Sequence, residues 1–462
     1  MGWFFKSGSS SRGMRRIAMA GYGGPSAPAF IDTAAHVLVL LASMGESGQS
    51  AVTSDTSRPY RWAIAASAVI AVTAALGFAR FGYAMILPGM KAGLGLTEVQ
   101  AGDLATANML GYLALSLVGG LLASRWGPRI VISLSLAGVA VGMALTGLAP
   151  SYGAAFAARL LTGMASGGAN VPVMGLLSAW FVSRQRGLAG GMAVGGSSIG
   201  LLVTGIAVPA ILSRFQIESW RYCWFFLAAI AAVAAVFSAL MIRNGPAGSA
   251  LGARRTAGDA SASQPQQRVS EIFSNPGVWF LGSIYVFFGF AYIVYATFFV
   301  RYLTAEGGYA MSEAGAYWSL IGGLSLASGF IWGTVSDRLG RKYGLAIVFF
   351  LQSLSFSLFG LWKSPASFLV SGILFALTAW SIPAIMSAAA GDLLGARLAP
   401  GAFGFLTVFL GVGQVTGPFV AGRIAGTTGS YAGAFILAGV LSLAGAVLSL
   451  FLRVDKGGEW GK

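Results

Sequence analysis

Charge is what this chain has least of. Only 9% of its 462 residues are charged and 56% are hydrophobic, where a soluble globular chain carries about 25% charge. Mean hydropathy is +0.76. These values exclude an ordinary soluble fold. Cysteine is scarcer still. Cys223 is the single one, so no disulfide can form within the chain. The single histidine, His36, lies in the N-terminal stretch. Neither a His/Cys metal site nor a histidine-based nucleophile–base pair can be assembled from such a set. No Gly-x-x-x-x-Gly-Lys-Ser/Thr stretch occurs, so the chain offers no P-loop for ATP. No cofactor and no metal are expected, and no enzyme. The net charge of +15 does not point to nucleic acid, because the cations stand at the ends of apolar runs, as membrane topology requires.

Glycine, by contrast, is abundant, with 67 residues. Small residues let helix backbones approach closely in lipid. From Trp62 onward, apolar runs of about 20 residues recur, each long enough to cross a bilayer. They predict helices over 62–88, 98–123, 130–149, 152–182, 187–212 and 221–243, then 277–303, 312–336, 343–362, 366–391, 401–425 and 430–452. The polar stretch 244–275 separates the two sets. Thr97, Glu98 and Gln100 form a capping-box pattern, and Ser312 with Glu313 opens the equivalent helix of the second set. Residues 1–58 are rich in Gly, Ser and Ala, with a basic start at Lys6, Arg12, Arg15 and Arg16. The mildly apolar Ala34–Met44 is too short to span, and no signal-peptide core follows the Arg15–Arg16 pair. The expected organisation is a disordered tail (1–58), a six-helix bundle (59–243), a cytoplasmic linker (244–275), a second bundle (276–453) and a short tail (454–462).

Cations assign the orientation. One set of helix flanks holds Arg58, Arg61, Arg125, Arg129, Arg184, Arg186, Arg243, Arg254, Arg255, Arg268, Arg338, Arg341, Lys342, Arg397, Arg453, Lys456 and Lys462. The other holds only Lys91, Arg214, Arg221, Arg301, Lys363 and Arg423. The positive-inside rule places both termini in the cytoplasm.

A repeated turn ties the halves together. Gly333, Asp337, Arg338, Gly340, Arg341 and Lys342 lie between two apolar runs. Gly120, Ser124, Arg125, Gly127, Pro128 and Arg129 stand 213 positions earlier in the same register, with Ser124 where Asp337 stands. Such a repeat implies two similar halves. The cations set topology and can pair with Asp337 or with lipid headgroups. Asp337 can also cap a neighbouring helix N-terminus.

The Gly333–Lys342 turn, with the twelve spans and the six-plus-six split, resembles the major facilitator superfamily over about residues 59–455. Arg159, Gly163, Gly167 and Gly168 resemble that superfamily's fourth-helix arginine motif. Gly77–Pro88, including Arg80 and Tyr83, and Ala107, Asn108, Gly111, Tyr112 and Leu113 are similar to the bacterial YbfB/YjiJ-type group. The resemblance implies alternating access between two bundles of an all-α integral membrane protein. It also implies a cytoplasmic latch made of Gly333, Asp337, Arg338, Gly340 and Arg341 with Ser124, Arg125 and Gly127. The chain departs from the pattern in two ways. Ser124 replaces an acid, and a Gly-Pro pair stands in the eleventh helix (Gly417–Pro418) rather than the fifth. The second departure argues against the drug-antiporter branch.

Charged residues inside spans are expensive and usually functional or paired. Arg80 lies about 12 Å inside helix 1 at 1.5 Å per residue, and Arg159 sits at a similar depth in helix 4. Asp103, in helix 2, is the acid most clearly inside a span. Arg80 is expected either to bind an anionic substrate, its planar fork matching a carboxylate, or to form a permanent pair with Asp103. By resemblance, first-helix arginines bind organic anions in several branches of the superfamily. Arg159 is expected either to act in proton coupling and hold helices 1 and 4, or to bond backbone carbonyls near a helix break. Asp103 is the expected proton carrier. Asn170 should line the cavity or satisfy backbone freed by Pro172. Tyr83 follows Arg80 on one face. Tyr285, Tyr292 and Tyr295 share a face of helix 7. With Asn108, Tyr112, Trp318, Trp380 and Gln414 they complete the expected substrate-binding set, each of them alternatively a packing residue. Trp62 and Trp332 read as interface anchors. The function expected is secondary transport of a small organic anion across a bacterial inner membrane, coupled to protons and carried out by a monomer in the lipid bilayer. An exporter of amphipathic compounds and a non-transporting receptor or scaffold remain the alternatives.

Overall fold

The computed structural model describes residues 58–181, 183–215, 218–245 and 267–452. The expectations for the N-terminal tail, most of the linker and the C-terminal tail fall outside them. Among the described residues, eleven helices are long and apolar enough to cross a membrane, or twelve when one bent pair counts as a single span. α1 runs from Arg58 to Leu94. It is followed by α2 (Glu98–Trp126), α3 (Pro128–Leu148), α4 (Tyr152–Trp180), α5 (Ser183–Arg214) and α6 (Ser219–Met241). The second set is α7 (Pro276–Ala305), α8 (Met311–Ser325 with Ser328–Leu339), α9 (Arg341–Leu361), α10 (Pro365–Gly395), α11 (Gly401–Thr428) and α12 (Ala432–Ser449). The capping box at Thr97 is present in full, each side chain of Thr97 and Gln100 bonding the other's backbone N–H.

Three helices are discontinuous where the apolar pattern predicts unbroken rods. In α1, Thr73–Phe81 is a π-helix, a wider turn that is frequent at functional sites. α8 bends by 42° between its two segments. There, Ser325 and Ser328 bond their own helix carbonyls and compete with the backbone ladder. α10 breaks at Ala379–Trp380, four and three residues before Pro383, which has no N–H to donate. The two breaks satisfy each other. The Trp380 N–H donates to Ser328 Oγ at 3.2 Å, Ser381 Oγ donates to Ser328 O at 3.2 Å, and Trp332 Nε1 donates to Leu377 O at 3.0 Å. Trp332 is therefore committed to α10 rather than free to anchor at the interface.

The repeated turn has the same backbone in both halves. Gly127 has φ +87° and Gly340 has φ +95°, a conformation that favours glycine. Each residue ends one helix and begins the next with no intervening loop.

The bundles α1–α6 and α7–α12 meet along α2–α11, α5–α8 and α1–α7. Backbones come very close there. A Cβ on Gly102 would lie 2.5 Å from Pro418 O, and one on Gly205 2.5 Å from Gly315 O. These contacts lie in the half of the molecule that contains Glu98. The half containing Arg125 and Arg338 is different. Among the described residues, the ion pairs of that end, Arg341 with Asp337 and with Asp392, stay within one bundle. Gly333 and Gly340 face open space, and Arg125 and Arg338 are exposed.

Candidate functional site

Arg80 is the centre of the site. It lies in the π-helical segment, and its side chain is buried. The wide turn leaves carbonyls to be satisfied from outside the helix, and α4 does this. Arg159 Nη1 donates to Ala79 O at 2.6 Å, and Ser166 Oγ donates to Ala75 O. α1 is thus locked in a local geometry that turns Arg80 toward the other bundle. Its guanidinium carbon lies 4.2 Å from the centre of the Tyr112 ring, a cation–π contact contributing about 0.5–2 kcal/mol. Nη1 donates across the bundle interface to Tyr292 Oη at 3.3 Å.

Around that pair the structure gathers a small polar set in an aromatic frame. Gln414 Nε2 donates to Tyr292 Oη at 2.5 Å, and Asn170 Nδ2 donates to Tyr112 Oη at 2.9 Å. Phe288 stacks on Tyr292 at 4.7 Å and on Tyr285 at 5.9 Å. Trp380 stands at the α10 break, 5.6 Å from Phe81 and 6.5 Å from Tyr292, and its Nε1 donates to Ser198 Oγ of the other bundle at 2.8 Å. Arg80, Tyr112, Asn170, Tyr285, Tyr292, Trp380 and Gln414 of the sequence-derived set are thus brought together. Ser198, Phe81 and Phe288 join them with no sequence signal beyond their residue type.

Four members of that set go elsewhere. Tyr83 donates to Ala101 O at 2.8 Å and turns its ring to Arg159, so it ties α1 to α2. The π-helix changes the rotation per residue, and Tyr83 loses the face it would share with Arg80 on a regular helix. Asn108 donates to Arg159 O at 3.2 Å in the α2–α4 seam. Tyr295 bonds Ser371 Oγ at 2.7 Å among Phe299, Phe356, Phe359 and Phe375, inside its own bundle. Trp318 packs on Phe299. All four are buried in helix seams, because residues three, four or seven apart on one helix share a stripe wide enough to face two different neighbours.

Of the two alternatives for Arg80, the permanent pair with Asp103 does not form. Asp103 Oδ1 lies 2.9 Å from Arg423 Nη1, joining α2 to α11. It sits only five residues inside α2, too near the end to reach Arg80's depth. Glu98 makes a second tie across the bundles. It accepts from Arg301 Nη2 at 2.7 Å and Tyr431 Oη at 2.8 Å, with Lys91 Nζ at 3.2 Å. Burial and the adjacent carboxylate push the Tyr431 phenol up. These residues close the Glu98 end. The sequence placed Glu98 at a helix end and gave no sign of its partners, which lie 203 and 333 positions away.

At the opposite end Asp337 does not cap a neighbouring helix. It pairs with Arg341, whose Nε also bonds Asp392 Oδ2 at 2.8 Å. The charges stay within one bundle. Ser124 bonds Leu121 O of its own helix. Among the described residues, neither Asp337 nor Ser124 of the expected latch bonds the other bundle. Among the described residues no carboxylate pairs with Arg80 or Arg159. On each of them Nε and Nη2 are buried without a hydrogen-bond partner.

Residues 72–450 match the family described as "Uncharacterised MFS-type transporter YbfB". The chain is 25% identical over 405 residues to the protein of Cupriavidus necator described as "Probable sulfoacetate transporter SauU", covering 81% of this chain and 90% of that one. It is 23% identical over 377 residues to the hexuronate transporter of Bacillus subtilis, covering 77% and 86%. The fold matches a bacterial homologue of the human lysosomal transporter Spinster, solved inward-facing and occupied. The TM-score is 0.68 at 15% identity, over 88% of this chain and all of that one.

Proposed function

We propose that this chain, which belongs to the family of MFS-type transporters represented by YbfB, carries a small organic anion across the bacterial inner membrane with Arg80 as the anion's partner. It is a multi-pass membrane transporter of the major facilitator superfamily and not an enzyme. The observation that carries the anion reading is the Arg80 guanidinium. It is buried at the meeting of the bundles, no carboxylate among the described residues pairs with it, and Nε and Nη2 are unsatisfied. A buried charge left in that state is unfavourable by several kcal/mol. A carboxylate or sulfonate entering beside it would accept both hydrogen bonds in the fork geometry that arginine favours. The substrates in the names of two relatives, sulfoacetate and hexuronate, are anions of this kind.

With the cation-rich helix ends in the cytoplasm, the Glu98 end is the outer one and the structure is closed outside. Transport then proceeds by rocking of the bundles about Arg80 and Tyr292, with both termini inside and one chain sufficient. The coupling ion is the proton. Asp103 stands at the outer closure, and a proton on it would release Arg423 and unlock α2 from α11. Arg159 serves this cycle by holding α1 to α4. A second reading, export of amphipathic compounds, is supported by the aromatic frame of Phe81, Phe288, Tyr292 and Trp380.

Proteoliposome flux of radiolabelled sulfoacetate, glucuronate and benzoate tests the assignment. Wild type is expected to carry at least one, Arg80→Gln none, and Arg80→Lys to lose about 10-fold or more, because lysine lacks the fork. Flux of none of the three, or full flux by Arg80→Gln, sinks the anion reading.

A further inference from the structure

We propose that Ser198 of α5 is a positioning residue that pins the breaks of α8 and α10 as one joint, about which the far halves of both helices turn together. The inference concerns flexibility inside the second bundle and does not depend on the substrate being an anion.

The backbone is weakest at the two breaks. In α8 the Leu326 N–H reaches Gly323 O and the Ala327 N–H reaches Leu324 O, both at 3.4 Å. In α10 the Ala379 N–H reaches Ala376 O at 3.5 Å. These bonds span three residues and lie at the long limit, where a helix ladder holds least. Carbonyls released at the α10 break are taken by side chains. Leu377 O accepts from Trp332 Nε1 at 3.0 Å, and Thr378 O accepts from Gln352 Nε2 at 3.1 Å. Bending there leaves both carbonyls satisfied, so little opposes it.

A closed ring of hydrogen bonds ties the breaks to each other and to the first bundle. Ser198 Oγ accepts from Trp380 Nε1 at 2.8 Å and is bonded to Ser325 Oγ at 2.8 Å. Ser328 Oγ donates to Ser325 O at 2.9 Å and accepts from the Trp380 N–H at 3.2 Å. Ser198, Ser325 and Ser328 are all fully buried, so bulk water does not compete for these groups. Arg341 joins the far ends of the two helices. It pairs with Asp337 of α8 and lies 2.8 Å from Asp392 of α10. The segments Ser328–Leu339 and Ser381–Gly395 are thus linked at both ends and turn as a unit.

Ser198 also stands where the α5–α8 seam parts. On the Glu98 side of it the helices touch. A Cβ on Gly205 would lie 2.5 Å from Gly315 O, and one on Gly322 2.5 Å from the Leu202 nitrogen. On the other side, Gly187, Gly190 and Gly191 of α5 and Gly333 of α8 face open space. A joint pinned at this fork lets the far half of α8 approach or leave α5 while the near half stays packed. Access to the central residues from the Arg338 end is then governed by the joint as well as by rocking of the bundles.

The test measures spin-label distances inside the second bundle, in lipid nanodiscs, with Cys223→Ser as background. One pair joins Leu339, at the far end of α8, to Val447 of α12. The other joins Ser387, in the far half of α10, to Val447. All three residues are exposed. Ser198→Ala removes two hydrogen bonds from the ring, and a second distance population is expected to grow about 5-fold or more in both pairs. Trp380→Phe removes one of the same bonds and should shift both pairs in the same direction, which keeps the test open should Ser198→Ala fail to assemble. The double variant should move no further than Ser198→Ala, because the shared bond is already gone. Ser355→Ala removes a buried hydroxyl that bonds Ser371 O outside the joint and should leave both distributions unchanged. Unchanged distances in Ser198→Ala and Trp380→Phe overturn the proposal, because the bundle is then rigid. A shift in one pair alone overturns it by revealing two independent hinges. An equal shift in Ser355→Ala overturns it by revealing general loosening.

Discussion

Glu98→Gln should loosen the closure at the Glu98 end by an amount the structure allows to be worked out. Glu98 has three cationic or hydroxyl partners, but Lys91 belongs to its own bundle. Only Arg301 and Tyr431 are lost when the bundles part. The Glu98 and Arg301 side chains are 19% and 21% exposed, between the buried limit of about 1.5–3 kcal/mol for a hydrogen bond to a charged group and the exposed limit of about 0–1 kcal/mol. The Arg301 contact is thus worth about 1–2 kcal/mol and the Tyr431 contact about 1 kcal/mol. Glutamine keeps one carbonyl acceptor and loses the charge. The closed state should weaken by about 1–2 kcal/mol, a shift of about 5–30-fold in population. Spin labels on cysteines placed at Ala92 of α1 and Thr427 of α11, with Cys223→Ser removing the native thiol, report the separation of the bundles at the Glu98 end. The longer-distance population should grow in Glu98→Gln. It should not grow in Lys91→Gln, which removes a contact inside one bundle. An unchanged distance distribution in Glu98→Gln, or an equal shift in both variants, refutes the reasoning.

Two further outcomes follow from packing and charge. Gly163→Ala would bring a Cβ to 2.0 Å from Asn108 O in the α2–α4 seam. Backbone cannot yield cheaply there, so thermal stability of the detergent-solubilised protein should fall by the equivalent of about 1–3 kcal/mol, whereas Gly175→Ala, which faces open space, should leave it unchanged. Asp337→Asn removes one of the two carboxylates on Arg341, while Ser124→Ala removes a bond within one helix. Transport should slow more in Asp337→Asn than in Ser124→Ala, and equal, negligible effects would show that the turn only sets topology.

Much of the fold was legible from local rules. Apolar runs of membrane length, the 213-residue repeat of Gly127 and Gly340, and the Thr97 cap are properties of neighbouring residues, and each has its counterpart in the structure. Boundaries near breaks were not legible. A π-turn over Thr73–Phe81 is stabilised by donors from α4, roughly 80 to 91 residues away in sequence, and the α8 and α10 breaks are stabilised by each other. The site was legible in part for the same reason. Arg80, Tyr292 and Gln414 are polar residues in apolar runs, so their cost marks them. Tyr83 and Tyr295 carry the same mark, yet their hydroxyls are used by Ala101 O and Ser371. Sequence cannot separate the two cases, because either partner satisfies the hydroxyl equally well.

Residue order alone shows that this chain crosses a membrane many times, that it is built from two related halves, and that Arg80 and Arg159 lie deep in its first half. These are matters of hydropathy, repetition and depth along a helix, and no distant residue can alter them. Which charges are paired emerges from the packing of the helices. It gave Asp103 to Arg423 and Glu98 to Arg301, closing one end, and it left Arg80 facing Tyr292 without a carboxylate. Pairing depends on which helices meet and at what height, and that is set by glycine seams such as Gly102–Gly422 and Gly205–Gly315 between segments far apart in the chain.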